Sequence, residues 1–172
     1  EIGCNIIQTN SFGGNRIKLS EYGFGDKVEL INMQAVMIAR EAANGKGLVA
    51  GDIGPTGKLI YPLGELTFEE AYDVFYQQAK ALIKAGVDLI NIETMSDIKE
   101  AKAAVMAVKD AGDIPIICSM TFQENKRTLT GADPETVATL MEALSVDVIG
   151  ANCGFGPDIM VDILKRMYEV TD

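Results

Sequence analysis

The sequence predicts an α/β fold, a (β/α)8 barrel of the TIM type, and three observations lead to that prediction. Short apolar runs rich in Val and Ile alternate with longer amphipathic runs. The apolar runs are nearly continuous in hydrophobicity, as parallel strands covered on both faces must be. Their starts lie about 27 to 43 residues apart, enough for a strand, a helix and two loops. No early glycine-rich phosphate loop is present, which favours a barrel, although periodicity alone leaves a doubly wound sheet open.

The first two βα units are marked by their turn and cap residues. Strands are predicted at residues 5–9 and 48–52, with a helix between them at about 26–43. Gly45 and Gly47 mark the turn into the second strand. The next helix opens with a capping box at residues 67–70 and runs to about Ala85, where Gly86 is a natural stop.

The remaining three units follow the same order. Their strands are predicted at residues 87–93, 114–121 and 146–152. Ser96 or Asp97 can cap a helix that runs to about Ala111, and Asp133 followed by Pro134 opens another. A last helix is predicted at about 157–168. The pattern is therefore βα repeated five times.

Each predicted strand ends in a polar group suited to binding or catalysis. These groups are Thr9 with Asn10, Asp52, Glu93 with Thr94, Thr121, and Asn152 with Cys153. In a (β/α)8 barrel the carboxyl ends of the strands converge on the face that holds active sites. The sequence therefore predicts a site where these side chains meet.

Composition and charge restrict the classes of partner. With 48% hydrophobic residues the 172-residue chain can bury a sizeable core. Its formal net charge of −10, with no basic block, argues against nucleic acid and anionic membranes as partners. No apolar run reaches a membrane span, and residues 1–4 have no signal-peptide character, so we expect a cytoplasmic protein. Three scattered cysteines are expected to be reduced thiols.

Cys153 is the cysteine placed for chemistry. It closes a strand just before a helix N-terminus, which favours the thiolate, although a buried structural cysteine is the commoner role for such a position. Cys118 lies in mid-strand and Cys4 at a strand start, so we expect both to be structural. A single cysteine is no zinc site, and the chain has no histidine to complete one.

Two acidic residues have alternative roles. The Glu93 carboxylate would point into the barrel mouth and hold an ammonium group or act as a base, or else cap a helix or pair with a cation. Asp52 begins the glycine-rich segment GDIGPTG at residues 51–57. The backbone amides of that segment would receive a carboxylate or make a tight turn, and the turn is the more conservative interpretation.

Several segments, in collinear order, resemble the homocysteine-binding domain (homocysteine S-methyltransferase) family. They are IQTNSFG at 7–13, GDIGPTG at 51–57, IETMSD at 92–97, MTF at 120–122, RTLTG at 127–131 and GANC at 150–153. Their spacing is most similar to the N-terminal modules of bacterial cobalamin-dependent methionine synthases. The resemblance covers essentially the whole chain.

The resemblance implies a barrel in which three cysteine thiolates hold zinc and the homocysteine sulfur takes the remaining position. Cys153 matches the first zinc ligand, Glu93 the acid that binds the substrate ammonium, and Thr9 a segment that meets the substrate carboxylate. Asn10, Asn152 and Asp52 are further candidate substrate-binding residues. The zinc would lower the pKa of the homocysteine thiol. The methyl donor in the most similar members is methylcobalamin, carried by a separate module.

The family pattern also contains parts that this sequence lacks. The adjacent Cys-Cys pair of the last strand and the Asp-Gly motif of the first strand are absent. We therefore expect residues 1–172 to be a single homocysteine-binding barrel domain, incomplete at both ends, holding strands two to six. The alternative is a non-catalytic binding or scaffold chain without a full zinc site. A barrel enzyme for phosphorylated substrates ranks last, because it would need a late phosphate-binding loop.

Overall fold

The computed structural model describes residues 3–171 and has an alternating α/β architecture. The five strands are β1 Ile6–Gln8, β2 Leu48–Ile53, β3 Leu89–Met95, β4 Ile116–Met120 and β5 Val148–Ala151. The helices are α1 Arg16–Ser20, α2 Val28–Ala43, α3 Phe68–Lys84, α4 Ile98–Ala111, α5 Pro134–Ala143 and α6 Pro157–Tyr168, with a 3-10 helix at Gly25–Lys27. Residues 1 and 2 lie outside the described residues, so the expectation about signal-peptide character at residues 1–4 falls partly on them.

The strands form one parallel sheet in the order β1-β2-β3-β4-β5, as five consecutive βα units predict. The last three strands begin two residues later than predicted. In β3 and β5 the difference is explained by an aspartate that follows valine just before the strand begins, Asp88 or Asp147. The Asp88 carboxylate accepts a hydrogen bond from the Val49 amide at 2.6 Å, and Asp147 does the same for the Ile116 amide at 2.8 Å. Each aspartate thus ties the start of its strand to the preceding strand.

The predicted helices are confirmed, and one short helix was missed. The capping box is present at the start of α3, where the Thr67 hydroxyl and the Glu70 carboxylate each accept from the other's backbone amide. Asn44 ends α2 in the left-handed conformation with φ 48°. The missed helix α1 has five residues, too few to show helical periodicity, and is capped by Asn15. No helix within residues 3–171 is long and apolar enough to span a membrane.

The core lies between the sheet and its helices. Alternate side chains of β3 and β4, including Ile90, Ile92 and Cys118, are fully buried on the helix side. They pack in one cluster with Phe75 of α3 and with the alanine-rich face of α4. The opposite face of the sheet is more polar and more open. Leu48 and Val148, on that face of β2 and β5, are 49% and 53% exposed.

Phe75 anchors α3 in this core, so its truncation tests the packing. It is fully buried, and Phe75→Ala is expected to lower the free energy of unfolding by about 3 to 5 kcal/mol because it removes apolar contact and leaves a cavity. Tyr168→Ala is the control, since Tyr168 is 79% exposed and its loss should change stability by less than about 0.5 kcal/mol. Urea unfolding of the three proteins measures both values. Equal losses from the two substitutions would contradict this packing.

Candidate functional site

Glu93 is the centre of the polar cluster at the carboxyl ends of the strands. The side chain is half-buried, and each of its oxygens accepts a hydrogen bond from a different strand. Oε1 accepts from Gln8 Nε2 at 3.1 Å, and Oε2 accepts from Asn152 Nδ2 at 3.2 Å. None of the ion pairs found among residues 3–171 involves Glu93. The carboxylate therefore lies at the carboxyl ends of the strands and is held by neutral donors. Such a carboxylate can bind a cation through a charge-assisted hydrogen bond.

The Gln8 side chain crosses β2 to reach β3, because its neighbour on β2, Ala50, is small. Gln8 is paired in register with Ala50, whose methyl group leaves the space above β2 open. The Gln8 amide spans that space: it donates to Glu93 and accepts from Asn91 Nδ2 at 3.2 Å. A larger side chain at position 50 would block this bridge. The sheet register thus brings together residues from the first and third strands.

The Asn152 side chain links Glu93 and Thr94 of β3 to the chain that carries Cys153. Its Oδ1 accepts from the Thr94 amide at 3.0 Å, and its Nδ2 donates to the Thr94 hydroxyl at 2.9 Å as well as to Glu93. Thr94 and Cys153 both have left-handed backbones, with φ 61° and 58°. The Thr94 oxygen lies 3.7 Å from the Cys153 sulfur. Because the Thr94 oxygen accepts from Asn152, its proton is free to point toward that sulfur.

The three cysteines lie in different surroundings. Cys118 is buried on the helix side of β4, and burial raises the pKa of its thiol to about 12, so it is inert at neutral pH. Cys4 and Cys153 are exposed free thiols. Cys153 alone joins the polar cluster, through Thr94. Within residues 3–171 there is no group of three or more His, Cys, Asp or Glu side chains that could hold a metal ion.

Asp52 lies on the same sheet face as Asn91 and Glu93, because it is paired in register with Asn91. The residue is only 3% exposed, and its Oδ1 has no hydrogen-bond partner. Burial, with a smaller contribution from the neighbouring Glu93 charge, raises the pKa of Asp52 to about 7, while a hydrogen bond from Gln8 acts in the other direction. Asp52 is therefore the most perturbed acid of the cluster.

Thr9 and Asn10 have less direct relations to this cluster. The Thr9 hydroxyl accepts from the Asp52 amide at 2.9 Å and lies 2.6 Å from the Ser11 hydroxyl, which donates to the Asp52 carbonyl at 2.7 Å. Thr9 thus holds the end of β2 in place. Asn10 is exposed, and no hydrogen bond of the described residues joins it to Glu93, Asn152 or Cys153.

The segment at residues 51–57 forms a tight loop whose amides are largely used within the protein. The Gly54 amide donates to the Phe12 carbonyl at 3.0 Å, and the Thr56 amide donates to Glu100 Oε1 at 2.8 Å. Glu100 is buried in the first turn of α4, and burial raises its pKa. This arrangement favours the tight-turn interpretation of the loop over a cradle of free amides.

Sequence reasoning missed two residues that organise the site, Gln8 and Glu100, and it gave Thr94 no role beyond its place at a strand end. Gln8 and Thr94 stand inside the quoted segments, but nothing in the linear pattern shows a glutamine reaching across a strand or a threonine in the left-handed region. The sequence does contain a signal for Glu100. It is an acidic residue in the first turn of a predicted helix, where an acid is favourable, and a glycine-rich loop at residues 51–57 offers backbone amides as partners.

Comparison with known proteins decides the family. The family described as Homocysteine S-methyltransferase matches residues 1–172. The chain belongs to this family. It is 31% identical over 180 residues to methionine synthase of Mycobacterium leprae, and 32% over 178 residues to that of Mycobacterium tuberculosis. These matches cover 98% and 97% of this chain and 15% of either relative, so the chain spans about one seventh of their length.

Solved structures show the same fold. The metallated form of the homocysteine methyltransferase MmuM from Escherichia coli matches with a TM-score of 0.85 at 19% identity, over 98% of this chain and 64% of that protein. Dihydrodipicolinate synthase DapA-2 from Bacillus anthracis matches with a TM-score of 0.55 at 13% identity, over 99% of this chain and 49% of that protein. At such identities the likeness concerns the fold alone, and it confirms the predicted TIM-barrel class.

The raised pKa of Asp52 predicts that Asp52→Asn stabilises this homocysteine S-methyltransferase family chain above neutral pH. Asp52 titrates near 3.8 when unfolded and near 7 when folded. Between these values the folded state keeps a proton that the unfolded state has lost, so Asp52 lowers stability increasingly as the pH rises. The substitution should add up to about 4 kcal/mol at pH 8 and only about 0.5 kcal/mol at pH 4.

Unfolding measurements at the two pH values test this prediction, with the exposed Asp113→Asn as the matched control. A gain from Asp52→Asn that is the same at pH 4 and pH 8 would contradict it.

Proposed function

We propose that this chain supplies the substrate-binding core of a homocysteine S-methyltransferase, which binds homocysteine and activates its thiol for methylation to methionine. The observation that carries the proposal is the joined arrangement of Glu93, Asn152 and Cys153. It places a carboxylate and a free thiol in one hydrogen-bonded cluster at the barrel mouth. An amino acid with a thiol end and an ammonium end has the two groups that such a cluster can bind.

Glu93 is the proposed partner of the substrate ammonium. None of the ion pairs found among residues 3–171 involves its carboxylate, and its hydrogen-bond donors, Gln8 and Asn152, are neutral amides. An ammonium group adds a charge-assisted hydrogen bond, which is stronger than one from a neutral amide. Asn152 keeps the carboxylate oriented, and Asp52 lies on the same face as a second acid.

Cys153 is the proposed ligand for zinc and marks the sulfur end of the substrate. Its exposed thiol lies between the end of β5 and the start of α6, and it offers the soft donor that zinc accepts. One thiol is an incomplete ligand set, so the other ligands would come from outside residues 3–171. When bound, zinc supplies a Lewis acid that lowers the pKa of the homocysteine thiol. The Thr94 hydroxyl orients Cys153 through its contact with the sulfur.

The substrate carboxylate is assigned to the segment after β1. Thr9 contributes through the backbone it stabilises, since its hydroxyl is already bound to the Asp52 amide and Ser11. Asn10, exposed beside it, is the proposed side-chain contact. This assignment rests on the family resemblance and on the position of the segment at the barrel mouth.

The proposal also names a methyl donor and a domain of which this chain is a part. The chain spans 15% of the two mycobacterial methionine synthases, which leaves room for other modules in a protein of that kind. On the resemblance to cobalamin-dependent family members, methylcobalamin carried by another module is the proposed donor. We propose that residues 1–172 are part of a single homocysteine-binding barrel in a cytoplasmic protein. The competing proposal is a non-catalytic binding chain, favoured by the incomplete metal ligand set within residues 3–171.

Two substitutions in the full-length protein separate the metal end from the ammonium end of the site. Cys153→Ala should remove stoichiometric zinc, because it deletes a ligand. Glu93→Gln should keep zinc and weaken homocysteine binding roughly 10- to 100-fold, because a charge-assisted hydrogen bond is lost. Metal analysis and titration calorimetry measure the two effects.

Cys4→Ala is the matched control, since Cys4 is also exposed but lies outside the cluster. Zinc retained in full by Cys153→Ala, or no zinc and no homocysteine binding in the unsubstituted protein, would refute the methyltransferase proposal and favour the binding-chain alternative.

A further inference from the structure

Asp52 has a buried oxygen that the proposed chemistry leaves unused. The residue is only 3% exposed, and its Oδ1 is buried without a hydrogen-bond partner. A buried polar atom without a partner costs about 1 to 3 kcal/mol, so its retention calls for an explanation. Its place beside Glu93 on the open face of the sheet suggests one.

Within residues 3–171, the side chains that face Asp52 include no cation. From β1 the neighbour is Gln8, and from β3 the neighbours are Asn91 and Glu93. From α3, Gln78 donates to the Asp52 carbonyl at 3.4 Å. Glu93 is the one other titratable group in this set. Two ionised carboxylates in this position would repel each other, and none of the neighbours named above carries a positive charge to offset them.

Gln8 occupies the position that a cation would take. Its Nε2 donates to Glu93 Oε1 at 3.1 Å, and the Gln8 side chain lies close enough to Asp52 to lower the pKa of that carboxyl group. An amide nitrogen is a neutral donor, so it satisfies hydrogen bonds without neutralising charge. Gln8 is exposed and held only by polar contacts from its side chain, so an ammonium group can displace it.

We propose that Asp52 is a second acid of the ammonium subsite, which carries a proton in the free protein and releases it when a cationic amino group displaces Gln8 and lies between Asp52 and Glu93. The inference rests on the proposed function, since it describes the same subsite. The free site holds one negative charge, on Glu93. On binding, the Asp52 O–H bond breaks, its proton leaves to solvent, and two carboxylates face one ammonium group.

The raised pKa of Asp52 agrees with this proton balance, since burial and the neighbouring Glu93 charge both favour the protonated carboxyl group. With a pKa of about 7, Asp52 is largely protonated at pH 6. A bound ammonium charge favours the ionised form and lowers that pKa. By linkage, affinity is greatest above the pKa of the free protein and falls as the pH drops below it, by up to about tenfold per pH unit.

Titration calorimetry with L-homocysteine on the zinc-loaded full-length protein tests the proposal. Measuring the heat in two buffers of different ionisation enthalpy gives the number of protons released. At pH 6 the unsubstituted protein should release about one proton more than Asp52→Asn. The thiol proton is common to both proteins and cancels in the difference. The affinities should be similar at pH 5.5 and differ by about tenfold at pH 8.

Equal proton release from the two proteins would overturn the inference while leaving the proposed function intact. Absence of homocysteine binding in the unsubstituted protein would refute both. Should Asp52→Asn fail to fold, infrared difference spectra of the unsubstituted protein decide instead. Homocysteine added at pH 6 should remove the carbonyl band of a protonated carboxyl group, and a band that persists overturns the inference.

Discussion

The side-chain amide of Asn152 is the contact on which the candidate site depends. It binds the Glu93 carboxylate, the Thr94 amide and the Thr94 hydroxyl, while its own chain neighbour is Cys153. One planar group therefore fixes the distance between a carboxylate on β3 and a thiol after β5. An amide suits this task because it both donates and accepts without adding charge. An aspartate here would repel Glu93 and lose the donors.

The parallel sheet makes that contact possible. Parallel strands bring their carboxyl ends to one edge, and β4 separates the two strands that Asn152 joins. On the other side of β3, the Gln8 side chain from β1 likewise crosses one strand, passing Ala50 of β2 to bind Glu93. The helix side of the sheet carries the apolar packing, which leaves the opposite face available for polar groups. Stability and binding thus use different faces of the same strands.

The charge distribution distinguishes the site from the rest of the surface. Several exposed acids elsewhere pair with bases, as Glu135 does with Arg166 at 2.6 Å. Among the described residues no ion pair found involves Asp52 or Glu93, and Asp52 is buried. A buried acid without a cation lowers the stability of the protein, and an acid with a perturbed pKa, such as Asp52, is typical of functional sites. A ligand that brings a positive charge would recover the lost stability.

Much of this arrangement could be predicted from the sequence, because it follows from local patterns. Apolar runs that end in polar residues located the strands, and the parallel order placed Glu93, Asp52 and Asn152 on one face. The bridge from Gln8 could not be predicted, since it depends on the register between strands and on the small size of Ala50. The left-handed backbone of Thr94 and the buried, unpartnered oxygen of Asp52 likewise arise from tertiary contacts that a linear pattern does not contain.

A crystal structure of the full-length protein with zinc and L-homocysteine would show where the two ends of the substrate bind. We expect the ammonium nitrogen within hydrogen-bond distance of Glu93, the Gln8 side chain displaced, and the substrate sulfur on a zinc ion that Cys153 also binds. Homocysteine bound elsewhere, or bound here with its amino group away from Glu93 and no metal on Cys153, would contradict the account.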